Sequence, residues 1–155
     1  MNNGSSDTTV KGKEDSVDFA IYLNKKIKTK GLTANVTKIQ KLLYICYGLY
    51  LAVYGEQLLN ERPKALDYGP VFPNVLKKQK ENGDSLDGLK VRNNLKKYDA
   101  IIDETLKHFG TWDADKLYRW THMENTAWDK KIKANKRYET MENDDIMTDF
   151  KELLE

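Results

Sequence analysis

One cysteine, three prolines and two histidines occur among 155 residues, and each scarcity narrows the options. A single thiol, Cys46, excludes an internal disulfide. It lies in an apolar run, where a reduced thiol acts as a small hydrophobe, and a reducing cytoplasm is its expected home. His122 with Glu124 supplies at most two metal ligands, where structural zinc takes four. No serine or cysteine sits in a strand-to-helix elbow, and His108 has no triad context. Nothing therefore assembles a nucleophile, a base and an oxyanion donor. Neither an enzyme nor a cofactor is expected. The first fifteen residues lack the apolar stretch of a signal peptide. The longest apolar run, over 42–54, falls short of the roughly twenty residues a membrane helix needs and predicts a buried core helix.

What is present fits one globular domain. Hydrophobic residues make up 39% and charged residues 32% of the chain, a balance that gives a core and a well-solvated surface. Residues 1–15 hold one aliphatic side chain, Val10, and are predicted to be a disordered tail. The domain is expected over 16–155. Charge is unevenly spread: 16–81 holds eleven lysines and arginines against five acids, and 139–155 holds seven acids against one lysine. Either the two regions pack together or each meets its own partner.

The apolar spacing predicts a mainly α fold, a compact helical bundle around a buried central helix. Ser16 is a candidate cap for a first helix stopped by Gly31. The central helix opens over 33–40, with Lys38 and Lys41 expected outward, and closes at Gly55. From Leu42 it is apolar all round, as for a helix surrounded by others. A short β-hairpin or extended excursion is expected near 57–68, its turn chemistry lying over 60–63. Gly69-Pro70 and Pro73 predict a rigid turn, with Pro73 in the first turn of the next helix. A polar loop follows over 84–94. A helix is expected over 99–109, then a short one capped by Asp113. Residues 129–137 read as a charged connector, and an acidic helix closes the chain near 142–155, with Ile146, Phe150, Leu153 and Leu154 on one stripe.

Three linked stretches stand out. The first runs from Thr37 through Lys41 and Tyr44 to Gly55. The second is Tyr68-Gly69-Pro70-Val71-Phe72-Pro73. The third is Thr121-His122-Met123-Glu124-Asn125-Thr126-Ala127-Trp128. Each has a structural reading. The tyrosines of the central helix are mostly core. The proline pair makes a stiff elbow. His122 and Glu124 act as polar clips on helix-end groups, and Trp128 packs the loop. In this order and spacing the stretches resemble the Panacea domain, the antitoxin domain also called SocA-like or GepA-like after phage-associated proteins. Departures are Tyr47 where a glutamine is usual, Ala127 for a proline, and Leu66-Asp67 in place of a tryptophan.

The resemblance implies a cytoplasmic antitoxin that neutralises a neighbouring gene's toxin by direct binding, with no chemistry of its own. Such an interface needs a few aromatic or basic anchors. Candidates are Tyr68, Phe72, Trp112, Trp120 and Trp128, with Lys77, Lys78 and Lys80 as a rim. Lys41, Tyr44, Gly69, Pro70, Pro73, Thr121, His122 and Glu124 are the structural part of the motifs. Two alternatives differ in kind. A proteolytic adaptor would use the acidic C-terminal helix as a docking tail for a cellular protease. A nucleic-acid-binding autoregulator would use the lysines at 25–30 and 130–137. A pI near 8.4 lies below the range of a dedicated nucleic-acid domain, so that partner is not expected.

Overall fold

The computed structural model describes residues 14–154. Seven α-helices occur among them: α1 Ser16–Thr29, α2 Val36–Tyr54, α3 Pro73–Glu81, α4 Asp99–Phe109, α5 Ala114–Thr121, α6 Ala127–Lys133 and α7 Asn143–Leu154. A two-stranded hairpin, β1 Lys64–Leu66 and β2 Gly69–Val71, lies between α2 and α3. Helix α2 is the axis. It is buried from Lys38 to Leu51, with α1, α3, α4, α5 and α7 all packed against it. No helix among the described residues is long and apolar enough to cross a membrane.

Helix ends follow side-chain chemistry, with corrections to the expected caps. Most of the expected tail lies outside the described residues, but its last two residues do not. Asp15 caps α1 by accepting from the Asp18 amide, and Glu14 bridges to Leu59. Ser16, the expected cap, is inside the helix and donates its hydroxyl to Glu61. Glu61 in turn accepts from the Asn74 amide at the start of α3, where Phe72 offers no side-chain cap. Residues 129–137 are not simply a connector. Thr126 caps α6 by accepting from the Asp129 amide, and Asp129 reaches back to the Asn125 amide. A threonine followed three residues later by an acid is a helix-start signal.

The hairpin sits later in the chain than expected. Its turn is Asp67-Tyr68, not 60–63, because Leu66 pairs with Gly69 and leaves a two-residue loop. Pro70 fits inside β2 for a geometric reason. It faces Ala65, whose amide donates to the Glu139 carbonyl and whose carbonyl accepts from the Tyr138 amide. Ala65 and Pro70 are therefore a non-hydrogen-bonded pair, where a missing N–H costs no ladder bond.

Lys38 and Lys41, expected outward, are both buried. The hairpin and α5 pack over the opening turns of α2 and cover them. One turn is tied by amide chemistry. Gln40 accepts from the Phe72 amide at 2.8 Å and donates to the Phe72 carbonyl at 3.3 Å. It also donates to Gln79, which donates to the Val36 carbonyl. Gln40→Ala leaves the Phe72 amide unpaired in the core, while the Phe72 carbonyl keeps the Leu76 amide, and an unpaired buried group costs about 1–3 kcal/mol. A loss of roughly 2 kcal/mol in urea unfolding is expected; a change below about 0.5 kcal/mol would show that the corner holds without it.

At the other end α7 lies across α2. Ile146 and Phe150 are buried, but Leu153 and Leu154, expected on the same stripe, are 43% and 55% exposed. The Tyr47 hydroxyl donates to Asn143 at 2.6 Å. The acids of α7 and its approach meet the basic body: Glu142 pairs with Arg62 and Lys131, and Asp145 with Lys130.

Candidate functional site

The three motif stretches converge on the hairpin tip. Three consecutive backbone carbonyls there each face a side-chain nitrogen. The Trp128 indole N–H donates to the Leu66 carbonyl at 2.6 Å. His122 Nε2 faces the Asp67 carbonyl at 3.1 Å. Lys41 Nζ donates to the Tyr68 carbonyl at 2.7 Å. The donors come from α2, from the end of α5 and from α6, so the turn is gripped from three directions.

The packing among the donors is close. The His122 ring stacks on Tyr118 with centroids 3.7 Å apart and tilts against Trp128 at 4.0 Å. Its Nδ1 faces the Tyr118 carbonyl at 2.6 Å, so the ring sits between two main-chain oxygens. The Tyr118 ring also lies 5.7 Å from Lys41 Nζ, within reach of a cation–π attraction. Gly69 has φ +118°, and a Cβ there would meet Lys41 Nζ at 2.8 Å and His122 Cε1 and Thr121 Oγ1 at 3.3 Å. Both the backbone conformation and the space call for glycine.

Lys41 is the electrostatic oddity of the site. It is 1% exposed and pairs with no carboxylate among the described residues. Burial pulls its ammonium down from 10.5 to about 8, because a charge removed from water without a counter-ion favours its neutral form.

The expected site residues part company here. Tyr68, at the tip, is 47% exposed, and Tyr118 beside it is 42% exposed. Phe72, expected as an anchor for a partner, is fully buried against Tyr47; it follows β2 and points into the core. Trp128 is also buried, its indole turned inward to the clamp. Glu124, expected as a clip, is exposed and makes no hydrogen bond among the described residues. Thr121 donates to the Tyr118 carbonyl. Lys77 is exposed and Lys78 half-buried on α3, and neither joins the clamp. Tyr44 is buried beneath Phe150.

Trp112 and Trp120 fall elsewhere, half-buried along an open apolar groove of about 570 Å³ between α2, α4 and the end of α7. Val53, Tyr54, Leu153 and Leu154 line it and are exposed. His108 lies on its edge, paired with Glu104. Gln40, Gln79 and Tyr118 had no role assigned from sequence. A glutamine inside an otherwise apolar helix face was the signal for Gln40; Tyr118 carried none. The lysines of the two basic clusters are largely paired within the fold: Lys26 to Asp99, Lys28 to Asp87, Lys30 to Asp103, and Lys133 to Asp129.

Fold and site together define a mainly helical domain whose one hairpin turn is held by side chains from three helical segments. Residues 39–129 match the family described as antitoxin SocA-like, Panacea domain. The match covers more than half of the chain, all three clamp donors included, and the protein belongs to this family. No curated protein and no solved structure matches the chain.

Proposed function

We propose that this protein is the antitoxin of a toxin–antitoxin pair and neutralises a cognate protein toxin by direct binding. The family supports the antitoxin role. The observation that carries the binding mode is the clamp. Its three donors fix the backbone of residues 66–68 and leave the Tyr68 side chain half in solvent. A rigid turn that presents an aromatic side chain binds with little ordering cost, and tyrosines are favoured interface anchors. Tyr118, stacked on His122 of the clamp, is a second exposed aromatic ring at the site. The adaptor reading draws less support, because Glu142 and Asp145 are engaged with the body of the domain.

Growth rescue is the test. The neighbouring gene product is expressed with and without this protein. The expected result is arrest alone and growth together. Tyr68→Ala is expected to abolish rescue and weaken binding by about 2 kcal/mol or more, with the melting temperature unchanged. A neighbour that is harmless alone, or rescue that survives with no complex in a pull-down, overturns direct neutralisation.

A further inference from the structure

A second recess, of about 680 Å³, lies between the α5–α6 turn and α7. Its aromatic walls include Trp120, Trp128 and Phe150. Tyr44 lines it from α2. That tyrosine is 4% exposed, and its hydroxyl has no hydrogen-bond partner among the described residues. A buried hydroxyl without a partner costs free energy unless something else pairs with it.

The remaining polar groups are mostly acidic. Asp149 uses one oxygen to accept from the Ala127 amide at 2.8 Å and makes no ion pair among the described residues. Burial holds its carboxyl above the ordinary range, the Ala127 bond opposing. Glu124 and Glu152 line the same recess and are exposed, with no ion pair among the described residues. The one basic residue of the lining, Lys130, is already paired with Asp145 at 3.3 Å. Among the described residues no His, Cys, Asp or Glu group is placed to hold a metal ion. The recess thus combines aromatic surfaces, an unpaired half-buried carboxylate and a free hydroxyl, with an excess of negative charge.

We propose that this recess receives an arginine side chain of the protein partner. Arginine fits better than lysine. A planar guanidinium stacks on indole and phenol rings and offers five donors in a fixed fork. Two can meet Asp149 and a third the Tyr44 oxygen. The cation would restore the counter-charge that Asp149 lacks. The partner's identity as a toxin rests on the function proposed above; the chemistry of the recess does not.

The test needs no toxin. The full chain is titrated with a Gly-Arg-Gly peptide and with the same peptide carrying citrulline, which keeps the shape and loses the charge. Indole N–H resonances are followed by NMR. The expected result is a saturable shift of Trp120 and Trp128 by the arginine peptide, with citrulline at least about tenfold weaker. Tyr44→Phe keeps the ring and is expected to weaken arginine binding several-fold. Asp149→Asn keeps an acceptor for the Ala127 amide and is expected to weaken it about tenfold. Equal shifts by both peptides, no shift by either, or unchanged binding in Tyr44→Phe overturns the assignment. Failed growth rescue with arginine binding intact would instead sink the antitoxin reading alone.

Discussion

Gly48→Ala is expected to destabilise the protein by about 3 kcal/mol, at the upper end of the usual cost of overpacking a core. The reason is contact, not conformation. Gly48 lies in the middle of α2, and a Cβ there would run into the ring of Phe150. Elsewhere the same change would help, since alanine is worth about 1 kcal/mol over glycine inside a helix. The sign therefore turns on Phe150. Phe150→Ala alone is expected to cost about 3–5 kcal/mol through the cavity it leaves. In that background Gly48→Ala should become favourable by up to about 1 kcal/mol. Urea unfolding of the two single variants and the double variant measures the coupling. Additive effects would mean that α7 does not seat on Gly48 in solution.

Lys41→Met should change how stability depends on pH more than stability itself. In the folded protein burial lowers the Lys41 ammonium from 10.5 to about 8. Between those values the unfolded chain holds the proton and the folded chain does not, so folding gains stability as pH rises through the window. Below about 8 the charged form is held at a cost, and a shift of this size corresponds to roughly 3 kcal/mol. Above about 10 the trend reverses, because unfolded tyrosines ionise while burial keeps Tyr22 protonated to about 12 and raises Tyr44 as well. Lys38 is also lowered by burial, but it stays in the variant, so the comparison isolates Lys41. From pH 7 to pH 10 the wild type is expected to gain about 2 kcal/mol relative to Lys41→Met in urea midpoints. The same variant should bind its partner more weakly, since the Tyr68 carbonyl loses its donor. A stability difference that stays constant with pH would mean that Lys41 is solvated.

Much of the helical frame was legible in the chain. The apolar block at 42–54 reads as a surrounded helix, and it is one as far as Leu51, with Val53 and Tyr54 exposed; Asp113, Gly55 and Gly110 mark ends that the structure keeps. The errors came from tertiary context. Lys38 and Lys41 look like a wet helix face until the hairpin folds over them. Turn residues at 60–63 point to an early hairpin, whereas β1 pairs with β2 and also with residues 138–141, some seventy positions away. At the site, the motif residues could be named but not their joint task. Nothing in local sequence says that Lys41, His122 and Trp128 will meet three successive carbonyls. Phe72 looked like an anchor because it is aromatic and next to a proline; only the direction of β2 shows that it faces inward.

The donors that hold the hairpin tip recognise main-chain oxygens, which every amino acid carries. The side chains at positions 67 and 68 are therefore uncoupled from the grip on the turn. Among the described residues the Asp67 side chain makes a surface pair with Arg137, and Tyr68 is half exposed. Substitutions there can alter what the tip contacts while the scaffold that carries it stays folded. The domain thus separates a fixed socket from two exchangeable surface side chains, and on the proposed function a change of partner needs changes there without first rebuilding the core.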